Sequence, residues 1–255
     1  MSFSAEWLAM REAADQSARD PYLLSLAADA AGPDPLVLDL GSGTGAMMRA
    51  LRPHLPASAS WRLVDHDPAL LSYASKATQR NIECLMQDLG NVDALPLEGA
   101  TLVTASALLD LMPARWISAL SRRLLDARLP FYAALSYDGC MEWDPMLPDD
   151  VIVTAAYNRH QKRDKGLGPA LGPDAGRQAV ETFRLAGFQV LRADSNWDLG
   201  IEHAGLQREL LQGIATVAAE AGLRDAQEWA SLRMARIETT RWEIGHVDLL
   251  ALPPG

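Results

Sequence analysis

The chain alternates between two patterns of apolar positions. Short, nearly unbroken apolar runs occupy residues 36–40, 61–65, 82–86, 101–105 and 130–135. Each has the length and composition of a strand buried on both faces of a sheet. Between them lie stretches of helical composition: 46–51, a segment from Pro68 through Leu70, Leu71 and Tyr73, and one from about Trp116 to Leu125. Pro68 suits a first helical turn, where its fixed φ is already right. Ahead of the first strand, residues 4–31 predict one helix or two, with Ser4 as N-cap, a natural break at Pro21 and a stop at Gly32-Pro33. Strand and helix repeating in this way are the signature of a parallel sheet wound on both faces.

Past residue 136 the repeat is lost. Residues 137–150 look like loop, 151–165 can hold a helix, and 166–173 carry too much glycine and proline for regular structure. A helix over 178–185, a strand over 188–192, a helix over 226–237 and a last strand over 242–252 follow the same logic. Between them, 203–221 places Leu206, Leu210, Leu211, Ile214, Val217 and Ala218 along one helix face. The expected fold is α/β: a doubly wound, mostly parallel seven-stranded sheet with extra helices near the C-terminus. A single domain is expected over 1–255, with a helical cap at 1–34, a cofactor-binding half at 35–136, and acceptor-site or lid elements at 137–177 and 196–238.

In such sheets ligands bind at the carboxyl ends of the strands, where the strand order reverses. Asp39, Asp65, Asp88 and Ser106 all fall at or near those ends. The first strand runs straight into Gly41-Ser42-Gly43-Thr44-Gly45-Ala46, a turn whose backbone can approach a ligand closely. The glycines alone suit two ligands. A nicotinamide dinucleotide would put a pyrophosphate there, which Asp39 would repel. A ligand carrying an ammonium and a sulfonium would be attracted by the same carboxylate.

Three motifs together resemble the class I S-adenosylmethionine-dependent methyltransferases: Val37-Leu38-Asp39-Leu40-Gly41-Ser42-Gly43-Thr44-Gly45, Arg62-Leu63-Val64-Asp65-His66-Asp67-Pro68 and Gln87-Asp88-Leu89. The resemblance covers roughly 35–136 in order and spacing. It implies a Rossmann-like methyltransferase fold with S-adenosylmethionine as cofactor. The turn around Gly41, Ser42, Gly43 and Gly45 would cradle the methionine portion together with Asp39. Asp65 would hold the ribose hydroxyls and His66 would pack on the adenine. Asp88 would bind the adenine amino group, Leu89 would offer a backbone amide, and Ser106 would line the methionine moiety. The chain departs from the family in having Thr101 where an acidic residue commonly opens the fourth strand, and helices over 203–237 in place of a short hairpin.

Composition narrows the partners. The formal net charge is -10, which disfavours nucleic acid as a partner. Cys84 and Cys140 are far apart and in no metal-ligand spacing, so a reducing, cytoplasmic setting and no metal are expected. No apolar run is long enough to span a bilayer. Arg11, Asp15 and Arg19 share one helix face, as a solvated ladder or with an arginine leaning over the glycine turn; on the second reading Arg11 joins the cofactor site. The acceptor side is expected after the fifth strand, at Tyr137 and in the basic run 157–165. There His160 is available as a base and the cations suit an anionic group on a small-molecule acceptor. His246, in the last strand, is expected to be a satisfied core or edge histidine. The expected function is methyl transfer to a small molecule by in-line displacement. The alternatives are a non-catalytic cofactor-binding scaffold, which needs no acceptor cavity, and a nicotinamide-dependent oxidoreductase, which leaves Asp39 unexplained.

Overall fold

The computed structural model describes residues 4–77 and 81–255. Helix α1 (Ala5–Ala18) begins where the Ser4 hydroxyl accepts from the Trp7 amide at 3.1 Å. Helix α2 (Pro21–Ala30) begins where the Asp20 carboxylate accepts from the Leu23 amide at 2.7 Å. The break between them is thus a proline in a first helical turn, where its missing N–H has no partner to lose.

Strands β1 (Leu36–Leu40), β2 (Ser60–Asp65), β3 (Ile82–Met86), β4 (Leu102–Ser106) and the start of β5 (Phe131–Asp144) pair in parallel. Helices α3 (Ala46–Leu51), α4 (Pro68–Ala77) and α5 (Ala114–Asp126) connect them. β8 (Arg241–Leu252) lies antiparallel between β5 and β6 (Gln189–Asp194), giving the order β3-β2-β1-β4-β5-β8-β6. An eighth strand absent from the sequence expectation, β7 (Trp197–Leu199), pairs with the first half of β8. The sheet order reverses between β1 and β4, so a crevice opens at their carboxyl ends.

The loop expected over 137–150 is largely strand. β5 continues to Asp144 as a ribbon against β8, with Met141 opposite Ile244 and Trp143 opposite Trp242. Two bulges interrupt it, between Ala133 and Ser136 and between Tyr137 and Met141. The second falls on Asp138-Gly139, inside the stretch expected to be loop: Gly139 sits at φ 97° and the chain passes through without reversing. Asp248 pins the first bulge. Fully buried, it accepts from the Tyr132 hydroxyl at 2.8 Å, the Leu135 amide at 2.8 Å and the Asp20 amide at 3.1 Å.

Two apolar clusters fill the faces of the sheet, one under α5 and α7 (Ala175–Leu185), the other under α2 and α3. A third covers the β5–β8 ribbon. There Trp143 stacks on Trp242 at 4.9 Å and meets Trp229 edge-on at 5.6 Å, beneath α6 (Asp150–Gln161), α8 (Ala204–Glu220) and α9 (Ala226–Met234). Asp150 ties this cluster together: it pairs with buried Arg233 and accepts from Trp229 Nε1 at 2.8 Å. The helices over 203–237 therefore form a packed layer against the ribbon.

Candidate active site

The glycine turn leaves β1 with Gly41, Gly43 and Gly45 at φ 65°, 52° and 82°. A side chain is disfavoured at Gly41 and Gly43 on space as well as conformation: a Cβ would meet Leu108 at 3.0 Å and Leu8 at 3.1 Å, respectively. The turn is held to β2 by Asp65, which accepts from the Gly43 amide at 2.8 Å and from the Asp67 amide at 3.0 Å. Asp39 lies 1% exposed at the end of β1, opposite Thr104 of β4, whose hydroxyl donates to it at 2.9 Å. Burial pushes its carboxyl up to about 7, against the opposing effects of the Thr104 hydrogen bond and the Arg19 charge.

Helix α1 lies over this turn. Glu12 pairs with Arg49 at 2.5 Å, and Arg49 also donates to the Thr44 carbonyl at 2.5 Å. Arg19, 5% exposed, donates to the Ser106 hydroxyl at 2.8 Å. The Arg11–Asp15–Arg19 ladder is therefore not solvated. Arg11 itself grips Asp15 with two 2.9 Å hydrogen bonds and lies over the Trp197 ring at 4.7 Å, so its carboxylate partner is on its own helix and not on the turn.

A single cavity of about 700 Å³ joins two regions. The first is lined by Asp39, Gly41, Ser42, Gly43, Asp65, His66, Asp88, Leu89 and Ser106, so nearly every residue expected to hold the cofactor borders one space. Gly45 is the exception, serving as the left-handed N-cap of α3. His66 is exposed at the rim, with Nδ1 3.3 Å from Asp65. Asp88, exposed, closes a turn by accepting from the Gly90 amide at 2.8 Å. The Leu89 carbonyl accepts from Trp116 Nε1 at 2.7 Å, which fixes the strand end beneath it.

The second region is a chamber of aromatic and aliphatic walls: Tyr137 and Met141 of β5, Tyr157 of α6, Trp197, Ile214 of α8 and Ile244. Both residues expected on the acceptor side, Tyr137 and His160, line it. The Tyr137 hydroxyl donates to Asn158 at 2.8 Å, and burial raises its pKa far above the usual phenol range. His160 is buried, with Nε2 3.1 Å from Glu220 and Nδ1 without a partner; desolvation, chiefly, lowers its pKa. Of the basic run, Lys165 is the cation that borders the cavity. Lys162 pairs with Asp174 at 2.7 Å, Arg163 donates to the Glu220 carbonyl at 3.2 Å, and Arg159 is exposed.

The chamber also holds groups the sequence reading did not assign to it. Asp110, just past β4, has one oxygen sealed from water and without a donor, and burial raises its carboxyl to about 6. Its signal was a lone acid inside the apolar run Leu108-Leu109-Asp110-Leu111-Met112. His246 was expected to be a core or edge histidine, and it is buried; its ring nevertheless borders the cavity. Desolvation, with Arg11 adding to it, depresses its pKa to about 3, so the imidazole is neutral.

A glycine turn at the switch point of a doubly wound sheet, with carboxylates at successive strand ends, is a Rossmann-like arrangement whose crevice suits a nucleoside-containing ligand. Residues 37–127 match the family model of the methyltransferase domain, and the cofactor this match supports is S-adenosylmethionine. No curated protein matches it. Among solved structures it is similar to a methyltransferase candidate from Bacillus halodurans C-125, at 12% identity, TM-score 0.54, over 91% of this chain and 99% of that one. It is also similar to the methyltransferase candidate bound to the Haloferax volcanii Trm112 methyltransferase activator, at 17% identity, TM-score 0.55, over 99% and 95%. A third, described as a possible exported protein of Bordetella parapertussis, aligns at 14% identity, TM-score 0.50, over 92% of this chain; the chain spans 66% of that protein's length. At these identities the likeness is one of fold.

The residues present fit the cofactor. Asp39 is a desolvated carboxylate in need of positive charge, and Ser42 beside it has a buried hydroxyl with no partner. Among the described residues no helix is long and apolar enough to cross a membrane, and no cluster of His, Cys, Asp and Glu is placed to hold a metal.

Proposed function

We propose that the protein transfers a methyl group to a small molecule held in the chamber beside the cofactor turn. The observation that carries this reading is the continuity of the cavity from the carboxylates of β1 and β2 to the aromatic chamber under α8. Its volume of about 700 Å³ lies in the range of small-molecule sites, and a chamber roofed by helices suits a metabolite better than a macromolecular surface. A non-catalytic binder has no use for such a chamber, and a pyrophosphate ligand leaves Asp39 facing like charge.

Asp39, Ser42 and the amides of the turn would hold the methionine end, with Ser106 fixed by Arg19 on its other side. Asp65 would take the ribose, His66 and Leu89 would flank the adenine, and Asp88 would accept from its amino group. When bound, S-adenosylmethionine supplies a methyl on a cationic sulfur, open to in-line displacement. The chain's part is alignment and exclusion of water. Tyr137 and Tyr157 pack edge-on at 5.8 Å and give the chamber a rigid wall. His160, with Nε2 hydrogen-bonded to Glu220, presents Nδ1 as the available base.

Calorimetric titration with S-adenosylhomocysteine and with NAD tests the reading. Binding of the first and not the second is expected, followed by transfer of labelled methyl to a small-molecule fraction. Tighter binding of NAD overturns the assignment, and transfer only to protein or nucleic acid overturns the small-molecule acceptor.

A further inference from the structure

The chamber walls carry hydrogen-bond acceptors that no described protein group satisfies. His246 Nδ1 lies 3.0 Å from the Ile244 carbonyl oxygen. A carbonyl only accepts, so Nδ1 carries the proton and Nε2 presents a lone pair. The ring is held between Trp197, at 4.9 Å, and Tyr137, at 6.0 Å, and no described residue donates to Nε2. Asp110 Oδ1 and His160 Nδ1 are likewise buried without donors.

The donors around the His246 ring are committed: Arg11 spends Nε and Nη2 on Asp15, Trp197 Nε1 donates to Asp15 at 3.0 Å, and the Tyr137 hydroxyl donates to Asn158. On the Asp110 side the Tyr157 hydroxyl and Lys165 also border the cavity, and neither hydrogen-bonds a described residue. Lone pairs and a carboxylate disfavour an anion, and buried acceptors favour a ligand that brings donors to them; a site built this way rejects analogues that lack the donor. Tyr157, with Met141, Ile214 and Ile244, suits a flat apolar body.

Resting on the proposed methyl transfer, we infer that the acceptor is an uncharged hydroxylated aromatic ring, docked through hydrogen bonds to His246 Nε2 and the Asp110 carboxylate. This replaces the anionic acceptor expected from the basic run, whose cations, Lys165 apart, are turned to other partners or to solvent.

The test uses the full chain saturated with S-adenosylhomocysteine, titrated calorimetrically with 2-naphthol, 2-methoxynaphthalene and 2-naphthoate. These share a ring system and differ in offering a donor, no donor or an anion. The naphthol is expected to bind at least about tenfold tighter than either analogue, the scale set by hydrogen bonds to buried acceptors. His246→Phe is expected to abolish that preference while leaving affinity for S-adenosylhomocysteine and 2-methoxynaphthalene unchanged. Asp110→Leu supplies the same readout from another wall should the Phe variant not fold. Equal binding of the three probes, preference for the naphthoate, no binding of the naphthol, or a preference that survives in whichever variants fold overturns the inference. Failure of the wild type to bind S-adenosylhomocysteine is a separate result, and overturns the cofactor reading instead.

Discussion

Replacing Asp39 with asparagine removes the carboxyl that burial has pushed from 3.8 up to about 7. The native state keeps this proton up to about pH 7, whereas the unfolded chain releases it near 3.8, so the carboxyl's contribution to stability falls as pH rises across that window. At about 1.4 kcal/mol per pH unit, ionising it in the folded protein costs about 4 kcal/mol at pH 8. Asparagine escapes that cost and its carbonyl still accepts from Thr104, but it buries an amide with no acceptor waiting, at about 1–3 kcal/mol. The cofactor-free variant is therefore expected to be more stable than wild type by about 1–3 kcal/mol at pH 8 and less stable at pH 4. Urea unfolding of both proteins at the two pH values reads the crossing directly. Affinity for S-adenosylmethionine moves the other way, falling at pH 8 because the charge facing the cationic ligand is gone. An offset independent of pH, or a variant less stable at pH 8, refutes the account of Asp39 as a desolvated carboxylate kept for a cation.

Two further substitutions separate the site from the scaffold. Asp65→Ala removes the charged acceptor assigned to the ribose and frees the Gly43 amide it holds at 2.8 Å. S-adenosylhomocysteine affinity should fall at least about tenfold, since each charged hydrogen bond contributes about 1.5–3 kcal/mol; calorimetry giving unchanged affinity removes Asp65 from the ribose site. Arg233→Met leaves Asp150 as an uncompensated charge, 3% exposed beneath the tryptophan cluster. A loss of about 3–5 kcal/mol is expected in denaturant unfolding, and a loss below about 1 kcal/mol shows that the pair does not hold the α6–α9 layer.

The cofactor half was legible because each of its elements is local. The apolar run at 36–40 is β1, the run at 82–86 is β3, and 46–51 is α3, because short apolar runs bounded by glycine, proline or acids leave few alternatives. The acceptor half was not. The ribbon beyond residue 136 alternates apolar and polar side chains, Met141 and Trp143 against Glu142 and Asp144, but the bulge at Asp138-Gly139 hides that alternation behind a turn signature. The chamber is assembled from Arg11, Asp110, Tyr137, His160, Trp197 and His246, contributed by six separate stretches of chain. No spacing rule joins such residues. The fate of Arg11 and Arg19 also escaped, since it depends on where α1 lies against β4 and β7, which helical periodicity does not encode.

β5 pairs antiparallel with β8 along its length, and over its first residues it also pairs in parallel with β4 on the other side. One backbone therefore carries both the floor under the crevice at the strand ends and the wall of the chamber proposed for the acceptor, with the seam near Ser136 locked by Asp248. On the proposed function, the chamber wall distal to that seam can be redrawn while the proximal segment, held by its parallel pairing with β4, stays as it is. A chimera joined at Ser136 and between Val247 and Asp248 would import a foreign acceptor preference onto an unaltered cofactor module.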